Sequence, residues 1–283
     1  MKTGLILEGG AMRGMFTCGV IDVLLEENIS FDGAAGISAG AVFGCNFKSG
    51  QIGRAIRYNK RFSRDPRYCS FRSLLKTGDL YGADFCYREL PDVLDPFDRK
   101  AFAENPMEFY IGATDVDSGK IVYHKCSDCG PEDMLWMRGS ASMPIVSRSV
   151  EVDGYRLLDG GIVEPVPYHF MEQAGYDRNL YILTQPKGYR KEKESHLQMM
   201  RLALHRMPRI ADAMSVRHSV YNRQMEEIDR KEEQKEILTI RPPESLCISR
   251  TEHDPEELER VYQIGRTEAR KALPAVRSFL STD

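Results

Sequence analysis

Residues 32–44 read DGAAGISAGAVFG, and the GISAG at their centre spells G-x-S-x-G around Ser38. Small and apolar residues stand on both sides, so the pattern predicts a buried strand, a tight turn and a helix. Towards the N-terminus, GLILE at 4–8 is a second short apolar run, closed by glycines. Between the two, Met15, Phe16, Val20, Val23 and Leu24 fall near helical spacing over 14–28. Strand, loop, helix, strand, turn and helix make a βαβ unit with both loops at the carboxyl ends of their strands. The expected class is therefore α/β with a mainly parallel sheet.

Ser38 itself has two readings. In a nucleophile elbow the serine occupies a strained turn, and Gly36 and Gly40 remove side chains that would clash there. The Ala39 amide then points into the space in front of the hydroxyl. In the other reading Ser38 is merely the N-cap of a small-residue helix.

Further along, 108–114 and 120–124 predict a hairpin around DVDSG, and 149–152 and 155–158 another around Asp153-Gly154. NLYILT at 179–184 reads as a buried strand, 187–235 as a polar helical excursion, and EILTIRP at 236–242 as a return to strand. A last helix spans 255–280, with Pro255 in its first turn and Pro274 expected to kink or end it. With no repeat or low-complexity stretch, 1–283 is expected to be one domain: a motif-bearing core (1–185), the excursion, and a C-terminal strand and helix (236–283).

Composition limits the function classes. Hydrophobic residues at 42 % and charged residues at 29 % are ordinary for a globular chain. A net charge of −3 supplies no global field to recruit nucleic acid, and membrane contact would have to be local and peripheral. No apolar run reaches the length of roughly 20 residues that a membrane-spanning helix needs. Seven scattered cysteines and no secretory leader fit reduced thiols in a cytoplasm.

Two further stretches carry chemistry. EGGAMRG at 8–14 places Gly9, Gly10 and Gly14 between a strand and a helix. Ala11 spoils the dinucleotide spelling G-x-G-x-x-G. An anion-binding turn suited to an oxyanion, or a plain tight turn, remains. LLDGG at 157–161 sets Asp159 at a strand end before Gly160 and Gly161, preceded by SASMP at 140–144 and followed by EPVP. Asp-Gly is also a common turn, so Asp159 alone decides nothing. Five histidines follow Asp159 or flank it closely enough to be a formal base, His169, His196, His205, His218 and His253 among them. Most of them stand in charged helical sequence that suits a solvated face.

Together, GGAMRG, GISAG and DGG, with SASMP ahead of the last, closely resemble the patatin-like phospholipases, in particular their bacterial, cytoplasmic, single-domain branch. The resemblance implies a three-layer α/β/α fold and hydrolysis of lipid acyl esters. It implies Ser38 as nucleophile, Asp159 as base, and an oxyanion site at Gly9, Gly10 and Ala11, with no metal or organic cofactor. An acyltransferase on the same dyad and a non-catalytic lipid or anion sensor are the alternatives.

Three features stay outside that pattern. The Arg13 guanidinium is read as bracing the first loop through backbone carbonyls, with a head-group phosphate as the alternative. Residues 190–223 hold eight Lys or Arg against three acids, and four methionines. That segment is read as packing its methionines on the core, with a lid or membrane-surface role as the alternative. Cys126 and Cys129 form a lone C-x-x-C and are read as incidental, not as a metal site.

Overall fold

A computed structural model of the chain describes residues 1–281. β1 (Lys2–Leu7) and β2 (Gly33–Ile37) lie parallel, with Leu5 opposite Ala34. α1 (Gly14–Glu26) crosses between them, and α2 (Ala39–Lys48) starts one residue after β2 ends. α3 (Arg54–Phe62), α4 (Phe71–Thr77), a π-helix (Phe85–Leu94) and α5 (Arg99–Glu104) lead into the antiparallel pair β3 (Glu108–Asp115) and β4 (Ile121–Cys126). α6 (Pro131–Ser140) precedes the hairpin of β5 (Val150–Val152) and β6 (Tyr155–Asp159). α7 (Tyr168–Gln173), β7 (Tyr176–Ile182), α8 (Leu197–Ala203), α9 (Pro208–Glu233), β8 (Leu238–Ile240) and α10 (Pro255–Ser281) complete the chain.

The strands form one eight-stranded sheet in the order β5-β6-β3-β2-β1-β7-β8, with β4 on β3. β3, β2, β1, β7 and β8 run parallel. Successive side chains of a strand face opposite sides, and here both sides are buried. Leu5 and Leu7 join one apolar cluster with α1, α2 and α10, whereas Ile6 joins another with Tyr168, Tyr221 and Met225. Leu180 and Ile182 divide from Tyr181 in the same way. A sheet covered on both faces is the three-layer arrangement expected, and it explains the unbroken apolar runs of its central strands.

One detail of register positions everything that follows. β4 occupies one edge of β3 as far as Thr114, so β6 shares the other edge with β2. β2 ends with Ile37 opposite Gly112, and β6 ends with Asp159 opposite the next residue, Ala113. β2 runs with β3 and β6 against it. The two strands therefore meet tip to tip, and the residues at their tips become neighbours.

The C-terminal part is fastened to the N-terminal part. α10 lies along α1 so closely that a Cβ on Gly19 would collide with the Tyr262 carbonyl, and one on Gly265 with the Phe16 carbonyl. The Tyr262 hydroxyl donates to Asp22 (2.7 Å), and Arg266 pairs with Glu26 (2.7 Å). Two expectations are corrected. α10 runs through Pro274 to Ser281, since a proline removes one backbone bond while Ala269 and Val276 stay packed on either side. The stretch 187–235 is not helical throughout: residues 187–196 form a strap before α8 and α9.

Candidate active site

Ser38 sits at the tip of β2 with φ 54° and ψ −122°, a backbone conformation strained for any side chain but glycine. Close packing holds it there: a Cβ on Gly36 would lie 2.6 Å from the Ala41 nitrogen, and one on Gly40 would strike the Leu7 carbonyl. The Ser38 side chain caps nothing in α2, so the helix-cap reading does not describe it. Its hydroxyl is hydrogen-bonded instead to the Asp159 carboxylate.

The sequence motif SASMP joins the two strand tips. The Ser38 amide donates to Ser140 Oγ (2.8 Å), which donates in turn to the Gly112 carbonyl (2.6 Å). The Asp159 amide donates to the Ser142 carbonyl (2.8 Å), and Thr114 Oγ1 donates to the Asp159 carbonyl (2.8 Å). Asp159 Oδ1 accepts the Gly161 amide at 2.8 Å, which fixes the carboxylate orientation. Ser140, Ser142 and Thr114 were not singled out from the sequence as site residues; the SASMP spelling ahead of DGG was the only signal.

Asp159 is 3 % exposed. Burial pushes its carboxyl above the usual carboxylate range, against the opposing pull of the Ser38 hydroxyl, Arg217, the Gly161 amide and Lys191. None of the histidines bonded elsewhere reaches the pair: His124 bonds Asp133, His205 the Leu202 carbonyl, His218 Ser219 and His253 the Ser63 carbonyl. His196 borders the cavity beside Ser38 but is exposed on the strap.

The glycine-rich loop follows β1 in front of this pair. Gly10 and Ala11 open a 3-10 turn and Ala39 opens α2, positions whose amides have no carbonyl one turn behind to accept them. Gly9 differs from expectation, because its amide donates to the Pro165 carbonyl (3.3 Å) and is thereby withdrawn from the oxyanion donors. Arg13 does not brace the loop through carbonyls: its Nε donates to the Thr184 hydroxyl (3.4 Å). Gly14 packs on Phe43, where a Cβ would sit 2.7 Å from the ring. Gly160 opens the short turn after Asp159.

Ser38 and Asp159 open on a cavity of about 660 Å³ with Met12, Val42, Phe43, Tyr58 and Leu90 among its walls. Its size falls within the roughly 300–1,000 Å³ of small-molecule sites, and its walls are chiefly apolar. Of the methionines on the basic segment, Met200 and Met214 are buried with Leu158 and Ile162, as core packing predicts, and Met199 is 68 % exposed.

Patatin-like phospholipase is the description of the family model that matches residues 5–171. The chain belongs to that family. A second model, for a domain of unknown function, matches residues 207–281. An NTE family protein of Mycobacterium tuberculosis is 30 % identical over 187 residues, covering 66 % of this chain and 49 % of the relative. YjjU of Escherichia coli is 27 % identical over 198 residues, covering 65 % and 52 %. A lysophospholipase of Coccidioides immitis is 24 % identical over 181 residues, covering 62 % and 11 %. The matched region thus spans about half the length of the first two relatives.

Away from the site, His124, Cys126 and Asp133 bring possible metal-ligand atoms within 4.8 Å of one another. Here the Asp133 carboxylate caps the turn of Cys126–Cys129, accepting the amides of Ser127, Asp128 and Cys129 and a bond to His124 Nε2 (2.6 Å). The His124 ring is stacked on Trp136 (4.8 Å). Among the described residues, no helix is long and apolar enough to cross a membrane.

Proposed function

We propose that this chain hydrolyses lipid acyl esters with Ser38 as nucleophile and Asp159 as base. The reading is carried by one observation: the Ser38 hydroxyl is hydrogen-bonded to a buried carboxylate with no imidazole between them. Family membership makes the substrate a lipid ester, and the apolar cavity beside Ser38 suits an acyl chain.

In the first step Ser38 Oγ attacks the ester carbon while its proton passes to Asp159. The carbonyl oxygen gains the negative charge, facing the amides of Gly10, Ala11 and Ala39. Collapse of the tetrahedral species expels the alcohol, which takes the proton from Asp159. Water then attacks the acyl-serine, gives its proton to Asp159, and releases the fatty acid as Ser38 is reprotonated. The desolvation that raises the carboxyl makes it a better proton acceptor, and the amides at the start of α2 stabilise the forming charge.

The test is turnover of a short-chain nitrophenyl ester together with labelling by a fluorophosphonate. The wild-type chain should do both, and Ser38→Ala neither, with an unchanged circular dichroism spectrum. Turnover retained by Ser38→Ala removes the nucleophile from this reading, and a wild-type chain that neither labels nor turns over leaves a lipid sensor.

A further inference from the structure

Four cations surround the buried carboxylate, and none of them is in an ion pair among the described residues. Arg13 stands in the turn of the glycine-rich loop, with its one bond to the Thr184 hydroxyl. Arg217, from α9, donates Nε to the Gly161 carbonyl (2.6 Å), two residues beyond Asp159. Lys191, on the strap, holds its ammonium over the Tyr221 ring at 4.9 Å. Arg250, after β8, forms part of the cavity wall. The charges of Arg13, Arg217 and Arg250 all bear on Lys191, and those of Arg217 and Lys191 on Asp159.

The arrangement is unusual within this chain. Other shielded guanidinium groups have carboxylates: Arg54 lies 3.4 Å from Asp95, and Arg241 bonds Asp229 (2.8 Å) and Glu232 (2.9 Å). The acids near the four cations cannot do the same. Glu8 already accepts the Thr184 amide (2.5 Å) and the Tyr221 hydroxyl (3.1 Å), Asp159 is bonded to Ser38, and Glu194 is exposed. Like charges gathered in a partly dry place repel strongly, and an anion between them relieves that repulsion. The crowding is felt at Lys191, whose ammonium burial and its positive neighbours pull down to about 7.

Only Arg250 lines the apolar cavity; the other three cations flank Asp159 and Glu8 beside it. An ester whose acyl chain enters the cavity and whose carbonyl sits at Ser38 leaves its alcohol part towards these cations. We propose that the alcohol part of the substrate carries an anionic group, a phosphate, held by Arg13, Lys191, Arg217 and Arg250. Guanidinium groups suit phosphate because their donors match its oxygens two at a time. This inference rests on the hydrolase reading and narrows it to anionic acyl esters over neutral ones.

The experiment is calorimetric binding to the Ser38→Ala protein of four probes: monooctanoyl glycerol phosphate, monooctanoylglycerol, glycerol phosphate and inorganic phosphate. The acylated phosphate should bind about tenfold or more tightly than monooctanoylglycerol at low salt, and raised salt should shrink the difference. Lys191→Gln combined with Arg250→Gln, checked for folding by circular dichroism, should reduce the preference to nearly one. Equal binding of the two acylated probes overturns the proposal, as does a preference that survives in the double variant. Inorganic phosphate binding as tightly as the acylated phosphate also overturns it, making the cluster a free-anion site with no link to the head group. Nitrophenyl ester turnover by the wild-type chain tests the hydrolase reading separately: phosphate preference without turnover sinks the reaction alone, and turnover without preference sinks the head group alone.

Discussion

Asp159 is asked to be ionised and buried at once. A free aspartate titrates near ~3.9, and here desolvation raises that value while Arg217 and Lys191 hold it back. A general base must be deprotonated, so kcat/KM for a neutral ester should fall as pH drops through the raised value, on a limb lying above the ordinary aspartate range. Asp159→Asn should remove turnover at every pH; a variant that keeps the acid limb assigns it to another group. Glu164 offers the corresponding stability test. Burial pushes its carboxyl up to about 7, with only the Tyr123 hydroxyl (3.0 Å) to support the charge. The folded chain then binds a proton more readily than the unfolded one, whose glutamate titrates near ~4.3, so stability falls as pH rises between those values. Glu164→Gln should raise the melting temperature above about pH 7, and the gain should shrink towards ~pH 5. A gain independent of pH would mean the side chain acts through packing and not charge.

The elements explain what brings two residues 121 positions apart in sequence into contact: strands meeting tip to tip on one edge of β3. Ser140, at the end of α6, ties one tip to β3. Ser140→Ala should cost about 1–2 kcal/mol by urea unfolding, because the Ser38 amide loses its partner, and should slow ester turnover as the elbow loosens. Turnover unchanged in a destabilised variant would show that the strained backbone is held by the glycine packing alone. The strands and the elbow were legible in the sequence because glycines bound short apolar runs. Their meeting was not, since it depends on which edge of β3 is already taken by β4. The region 49–107 gave no reading either: α3, α4 and α5 are short, and Pro91 stands inside the π-helix. The cation cluster was equally hidden, its members coming from the first loop, the strap, α9 and the segment after β8.

At the scale of the whole molecule, β8 extends the sheet beside β7 and α10 lies against α1, so the region matched by the second family model is joined to the first by both backbone and side chains. We propose on that ground that the described chain folds as one unit. Gly265→Val would push a branched side chain into the Phe16 carbonyl and should cost at least about 2 kcal/mol, by the penalty of overpacking a filled interior, with one unfolding transition in both parent and variant. Two separate transitions, only the later segment's being shifted, would contradict a single unit.

The contact between Gly19 and Gly265 also bears on descent. Two stretches that can be recognised separately are here obliged to change together, because neither helix tolerates a methyl group where they touch. A gene exchange that broke this chain between them would inherit one smooth helix and one arbitrary surface. Such a hybrid should survive only where the newcomer brings its own bare patch of backbone.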